Sequence, residues 1–294
     1  MRIIVAGATG FVGSNLGRKL VERGHQVAYL VRPGSRLGDG LPDTVDIISA
    51  DPTGPLDHIN IKADALLNAI GIIREFPKKG VTFSRIHIDI ARNLVDLAKY
   101  NKIEKFIQIS ALGVGPRGKT AYQKSKHIAE EYVRGSGLNW TILRPSMIFG
   151  PGDHFTDLFA NMIRRLPVVP VIGDGHYRLQ PVHIDDIAEG SAESIDDSRS
   201  AEQIFEIGGP EILTFNQIID LIGHALGKIR PRKIHQPVWM MRTLAGIFGR
   251  FDWFPVTNEQ ITMLLEGNFT DNTAFFDLYK IKPKKFADFL SRRP

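Results

Sequence analysis

The chain opens with a short uninterrupted apolar run, Ile3-Ile4-Val5-Ala6, and then changes period. From Phe11 to Arg23, Val12, Leu16, Leu20 and Val21 recur at helical spacing, with Arg18, Lys19, Glu22 and Arg23 on the other side. A continuous apolar run predicts a strand buried on both faces, and the 3.6-residue period predicts an amphipathic helix ended at Gly24. The alternation continues. Strands are expected at Arg2–Ala6, Gln26–Val31, Val45–Ser49, Ala65–Asn68, Lys105–Ile109 and Trp140–Leu143, and further helices at Ile86–Tyr100 and Tyr122–Arg134. Strand–helix–strand repetition predicts an α/β fold: a doubly wound parallel sheet with helices on both faces.

After Arg144-Pro145 the pattern loosens. Pro and Gly become frequent (Gly150-Pro151-Gly152, Pro167, Pro170, Gly173, Gly175), and helices are expected at Ile184–Ala192, Phe215–Leu226, Val238–Phe248 and Asn258–Leu265. We therefore expect a nucleotide-binding domain over 1–150, its sheet completed by segments from 176–210, and a smaller C-terminal α/β domain over 151–294 that takes substrate or a partner.

Composition is that of an ordinary globular chain of 294 residues, 43% hydrophobic and 23% charged. The absence of cysteine excludes a thiol nucleophile, a disulfide framework and Cys-ligated zinc or iron–sulfur sites. An excess of 37 basic over 32 acidic residues is too small to argue for nucleic acid. No run approaches the roughly 20 apolar residues that span a bilayer, and no targeting segment is visible. The expectation is a cytoplasmic, soluble chain, at most peripheral to a membrane.

The first candidate chemistry is Gly7-Ala8-Thr9-Gly10-Phe11-Val12-Gly13, lying between the first strand and the first helix. Gly7 permits a tight turn, Gly10 a close backbone approach to a pyrophosphate, and Gly13 close packing of helix on strand. The helix N-terminus then offers free N–H groups to phosphate. This is a Rossmann-type cradle for a nicotinamide dinucleotide. At the end of the second strand, where NAD-binding chains carry a carboxylate for the ribose hydroxyls, stands apolar Val31, followed by Arg32 and then Arg36. Guanidinium groups suit a 2′-phosphate, so NADP(H) is favoured over NAD(H). Asp51-Pro52 after the third strand and Asn68-Ala69-Ile70-Gly71 after the fourth fit the same groove.

Tyr122 and Lys126 sit at i and i+4 on one face of a predicted helix. An ammonium beside the phenol favours the phenolate and makes Tyr122 a usable acid/base, with Lys126 also placed to donate to the nicotinamide ribose. Ser110 ends the preceding strand, where it can orient a substrate oxygen. His183, Asp185 and Asp186 are read as a structural turn in which an Asp caps a helix, not as a metal site, and His154 as a loop histidine. The apolar helix Val238–Phe248, flanked by Arg230, Arg232, Lys233 and Arg250, is read as packed on its own domain, with a membrane or partner surface as the alternative.

Together, Gly7–Gly13, Asp51, Asn68–Gly71, Ser110, Tyr122/Lys126 and Leu143-Arg144-Pro145…Phe149-Gly150-Pro151-Gly152 resemble an extended or atypical short-chain dehydrogenase/reductase over nearly the whole chain. The segments 164–173, 180–188, 205–210 and 255–260 resemble the branch holding the nucleotide-binding accessory subunit of respiratory complex I and its epimerase-like bacterial relatives. The resemblance implies bound NADP(H) and adds Pro145 to the cofactor contacts. It also implies two activities to weigh: an NADP(H)-dependent oxidoreductase or epimerase-like enzyme acting on a small molecule, or a nucleotide-binding structural protein of a respiratory or membrane complex. The sequence departs from the active pattern in three places. Leu112 stands where Ser or Thr is usual if Ser110 begins the signature. The Ser110–Tyr122 connection is short. His87 replaces a structural Asn.

Overall fold

The computed structural model describes residues 1–35, 45–228, 230–251 and 253–292. Their order is β1 (Arg2–Ala6), α1 (Phe11–Glu22), β2 (Gln26–Val31), β3 (Asp46–Ser49), β4 (Ala65–Asn68), α2 (Ile90–Tyr100), β5 (Lys105–Ile109), α3 (Ala121–Arg134) and β6 (Asn139–Pro145). There follow β7 (Ile148–Phe149), α4 (His154–Arg165), β8 (Val169–Ile172), β9 (Arg178–Leu179), β10 (Val182–His183), α5 (Ile184–Asp196) and β11 (Gln203–Ile207). The chain ends with β12 (Leu213–Thr214), α6 (Phe215–Ala225), β13 (Lys233–Gln236), α7 (Val238–Phe248), α8 (Asn258–Glu266), α9 (Ala274–Tyr279) and α10 (Phe286–Ser291).

The chain forms two units. The first comprises Met1–Pro145, Ile184–Glu206 and Asn272–Ile281, so the polypeptide returns to it twice after position 150. Its centre is a seven-stranded parallel sheet in the order β11-β6-β5-β4-β1-β2-β3. The strand order reverses between β1 and β4, the switch point at which open α/β sheets leave a crevice for ligands. β1, β2, β4 and β5 are buried almost throughout, which is why they read as apolar runs rather than alternating ones.

One face of the sheet is covered by the apolar stripe of α2, where Ile90, Leu94, Leu97 and Ala98 pack with Ile4, Leu66 and Phe106. In place of one helix over 86–100, the chain starts with a wider π-helical turn at Ser84–Asp89 that runs straight into α2. α1 lies beside α5. Gly17 makes room there for the fully buried ring of Tyr29, since a Cβ would fall 2.2 Å from its hydroxyl. Gly190 does the same for Phe275 of α9, at 2.0 Å. Lys19 and Arg23 of α1 pair with Glu189, and Arg23 also meets Glu193 at 2.8 Å.

The second unit comprises Ser146–His183, Ile207–Asp271 and Lys282–Pro294. Its core gathers Phe149, Ile163, Val171, Phe215, Ile218, Ile222 and Phe286, with short pairings β7–β10, β8–β13 and β9–β12. A second cluster holds Met241, Ala245, Phe254 and Ile261. Two local readings need correction. α5 begins at Ile184, so Asp185 and Asp186 sit in its first turn, where acidic groups favour the helix dipole, rather than at the cap. His154 is not in a loop but is the first residue of α4, which Asp153 caps by accepting the Thr156 N–H at 2.6 Å.

Candidate functional site

The turn after β1 is built from backbone alone. Gly7 has φ +95°, a conformation that L side chains rarely adopt, and a Cβ there would lie 2.8 Å from the Ala69 carbonyl carbon. At Gly13 a Cβ would lie 2.2 Å from Gly7 O and 2.5 Å from Gly7 C. Helix, turn and the loop after β4 therefore touch main chain to main chain, as a dinucleotide cradle requires.

The N-terminus of α1 is also kept bare. Gly10 is its N-cap, with no side-chain cap and no acidic residue in the first turn. By contrast α3, α6 and α8 each begin with a Thr…Gln capping box that takes up their first N–H groups. The uncapped donors of α1, with its positive dipole end, leave a place for an anion.

From this turn a cleft of about 220 Å³ opens across the switch point. Of the residues expected to contact a cofactor, Gly7, Thr9, Gly10, Arg32, Pro52, Ala69, Ile70 and Gly71 line it. Val31 joins them, and so do Leu30, Ser35, Thr53, Ile72, Val81, Ile86 and Ile90, which the sequence did not mark as lining. Phe11, Val12 and Gly13 form the start of α1 behind the lining, and Arg36 lies outside the described residues.

The rim by β2 and β3 carries opposed charges. Asp51 Oδ1 accepts from the Thr53 N–H at 3.0 Å and from the Thr53 hydroxyl at 2.9 Å, and Arg85 donates to Thr53 Oγ1 at 3.0 Å. Burial pushes the Asp51 carboxyl up, but those hydrogen bonds and the charges of Arg32 and Arg85 outweigh it and hold the group below its ordinary value. Asp51 thus shapes the loop that presents Pro52 and Thr53 to the cleft. Asn68 acts similarly: it donates to Gln108 at 2.9 Å and accepts from the Ile70 N–H at 3.0 Å, fixing the loop that passes beneath the cradle.

The catalytic candidates come together around α3. The Thr120–Gln123 capping box fixes the start of the helix. Lys126, 7% exposed, donates to Ile109 O at 3.2 Å, and its ammonium lies 5.8 Å from the centroid of the Tyr122 ring. A Cβ at Gly71 would sit 3.4 Å from Lys126 Nζ, so the lysine reaches the cleft lining. Burial pushes Lys126 down to about 8, with Glu130 acting in the opposite direction. Glu130 is buried and held by Arg144, whose Nε and Nη2 donate to its two oxygens at 3.0 and 2.5 Å. Burial pushes Tyr122 above the ordinary phenol value.

Ser110, adjoining Ile109, has a buried hydroxyl with no hydrogen-bond partner among the described residues. Such an orphan is costly unless something supplies the missing bond. Leu112 is buried, and its N–H donates to Pro145 O at 2.8 Å, which places Pro145 against the loop after β5.

His87 ties these parts to the cleft. Nδ1 is 2.8 Å from Ser125 Oγ, while Nε2 is 3.1 Å from Ile72 O and 3.2 Å from Ile72 N. Its ring stacks on Phe83 at 5.4 Å and meets Tyr122 edge-on at 5.4 Å. Burial first, and then the Lys126 charge, push the imidazole down to about 3. The ring is therefore neutral at pH 7, and it pins the loop after β4 to α3.

An NAD(P)H-binding family model matches residues 7–154, half of the chain, and the chain belongs to that family. The cradle fits the group: Gly10 faces the cleft with no side chain to block a pyrophosphate, and Gly7 and Gly13 pack backbone to backbone around the turn. The chain is 28% identical over 255 residues to NADH dehydrogenase (ubiquinone) 1 alpha subcomplex subunit 9, mitochondrial, of Arabidopsis thaliana, covering 82% of this chain and 62% of that protein. It is 30% identical over 188 residues to ceramide reductase of Caulobacter vibrioides, covering 63% of this chain and 58% of the reductase. The chain thus spans about three-fifths of the length of both relatives. A solved UDP-glucuronic acid 4-epimerase of Bacillus cereus, in complex with UDP-glucuronic acid and NAD, superposes with TM-score 0.74 at 20% identity over 99% of this chain and 96% of that one. The fold is that of the extended short-chain dehydrogenases/reductases, as the sequence resemblance implied.

Proposed function

We propose that the protein is an NADP(H)-dependent oxidoreductase acting on a carbonyl/hydroxyl pair of a small molecule. The observation that carries the reading is the buried Lys126 beside the Tyr122 ring and the cleft-lining Gly71, bonded to Ile109 O one residue before Ser110, whose buried hydroxyl has no partner among the described residues. The similarity to a ceramide reductase supports it.

In this reading the turn 7–10 and the N–H groups opening α1 hold the diphosphate, and Ala69–Gly71 and Pro145 pass along the nicotinamide half. Arg32 grips the 2′-phosphate, with Arg36 as the second expected guanidinium. Val31 supplies no carboxylate to compete, and the charge of Asp51 is partly met by Thr53 and Arg85. When bound, the nicotinamide supplies or accepts a hydride. Tyr122 gives a proton to the substrate oxygen during reduction and takes it back during oxidation. Lys126 opposes the effect of burial on the phenol by offering a positive charge, and donates to the ribose. Ser110 donates to the same substrate oxygen, which gives its hydroxyl the partner it lacks.

A second reading is a nucleotide-binding structural protein in which the cofactor does not turn over. Two observations favour it: burial raises the Tyr122 phenol, and Leu112 occupies the loop position where a hydroxyl residue is usual. The similarity to a mitochondrial NADH dehydrogenase subunit points the same way and extends to association with a respiratory complex.

One experiment separates the two readings. The purified protein is loaded with NADPH and offered a panel of carbonyl compounds, including long-chain ketones. Oxidation of the nicotinamide that is abolished in Tyr122→Phe, with NADPH binding retained, supports the enzyme. Tight nucleotide binding without oxidation by any carbonyl supports the structural role. The cofactor assignment is tested by Arg32→Ala, expected to cost NADPH roughly 10-fold or more and NADH little, as for loss of a charge-assisted bond. Equal losses contradict it.

A further inference from the structure

The second unit carries a surface that the nucleotide site does not use. α7 has an apolar inward face and an outward face that also exposes two large apolar side chains. Val238, Met241, Leu244, Ala245 and Phe248 point inward and pack with Phe254 and Ile261, which accounts for the helix's place in the fold. Trp239, Thr243, Gly246, Ile247 and Arg250 share the opposite face at helical spacing. Trp239 is 72% exposed and Ile247 53%. Just past the helix, Phe251 is 40% exposed and Trp253 69%. Trp253 is braced, with its ring 5.7 Å from Phe248, 6.2 Å from Phe251 and 5.8 Å from Phe254. The aromatic ledge is therefore part of the packed fold and is held out toward solvent.

The sequence around it is predominantly basic. Between positions 230 and 253 stand Arg230, Arg232, Lys233, Arg242 and Arg250 against a single acid, Asp252. Lys233 is paired with Asp220 at 2.5 Å. Arg250 lies over the Phe251 ring of the ledge at 4.9 Å, and Arg242 donates to Thr262 Oγ1 of α8 at 3.2 Å.

We propose that the outer face of α7, continued through Phe251 and Trp253, is a docking surface for an anionic lipid bilayer. Exposed tryptophans with an aliphatic side chain on a short helix fit the boundary between headgroups and acyl chains, where an indole buries its ring and keeps its N–H wet. The excess of basic over acidic residues in this stretch fits anionic headgroups. The length of α7, 11 residues, and the absence of any sufficiently long apolar helix among the described residues fit a helix that lies on the surface rather than one that crosses it.

The test uses the full chain, without added nucleotide, in flotation with sonicated vesicles. Vesicles of equimolar phosphatidylcholine and phosphatidylglycerol should carry the protein up. Pure phosphatidylcholine should bind it about tenfold less, and added salt should weaken the anionic binding. Trp140 is buried, so a blue shift and quenching by brominated lipid report on Trp239 and Trp253. Trp239→Ala with Ile247→Ser should abolish flotation without moving the thermal midpoint, since both side chains face outward. Arg242→Gln with Arg250→Gln should weaken binding to the anionic vesicles alone. No flotation at low salt overturns the proposal, as does flotation untouched by the Trp239/Ile247 substitutions. A self-association that those substitutions dissolve, with no lipid binding, overturns it in favour of a second copy of the chain.

Discussion

The substitution Gly13→Ala tests the cradle directly. The added methyl would sit 2.2 Å from Gly7 O, 2.5 Å from Gly7 C and 3.0 Å from Ala8 N. All three are main-chain atoms of a turn already pressed against Ala69 and Ile70, so no side chain can swing away. Ordinary contact distances require α1 to retreat by roughly 1 Å, and overpacking of this kind costs about 1–3 kcal/mol of stability. The retreat also carries the first N–H groups of α1 away from the phosphate position. Losing one charge-assisted hydrogen bond costs about 1.5–3 kcal/mol, or roughly 10–150-fold in affinity. Gly10→Ala is the contrasting variant, because its Cβ would meet only Gly7 O, at 3.4 Å. It should leave the free protein's thermal midpoint nearly unchanged yet weaken nucleotide binding, since Gly10 faces the cleft. Titration calorimetry with NADPH and thermal unfolding without nucleotide read the two effects separately. Wild-type affinity and midpoint in Gly13→Ala would refute the backbone-to-backbone account of the cradle.

Two further predictions concern buried charges. Arg144→Met leaves Glu130, whose side chain is 1% exposed, without its bidentate partner, and should cost about 3–5 kcal/mol in denaturant unfolding. A loss under 1 kcal/mol would show that Glu130 finds another partner. His87 has its native pKa pushed down to about 3, while an unfolded histidine titrates near 6.5. Between those values the unfolded chain binds more protons, so stability falls as pH drops through the window. Relative to His87→Gln, the wild type should lose about 2–3 kcal/mol from pH 6.5 to pH 4.5. Parallel stability curves would mean that the native imidazole takes up a proton freely.

The first unit was largely legible because its signals are local. Fully buried strands read as apolar runs, and the start of α1, which has no side-chain cap, is marked by glycines at 7, 10 and 13. The lining residues Ile72, Val81, Ile86 and Thr53 were not legible, since an ordinary side chain becomes a wall only through the fold around it. The capping of α5 was misplaced by two or three residues because Asp in a first turn and Asp at a cap look alike in sequence. His87 stood out as a departure at its position. Its bridge from Ile72 to Ser125 spans distant segments and has no spacing signature.

The strand at the sheet's edge, β11, and the helix beside α1 both come from sequence that follows an excursion into the other unit. A fragment cut after residue 154 would leave β6 with a raw edge, Lys19 and Arg23 without Glu189, and the buried ammonium of Lys105 without the Ser200 hydroxyl that accepts from it at 2.7 Å. The nucleotide cradle is therefore not a portable cassette. Moving the whole unit into another protein means carrying three separate stretches of chain at once.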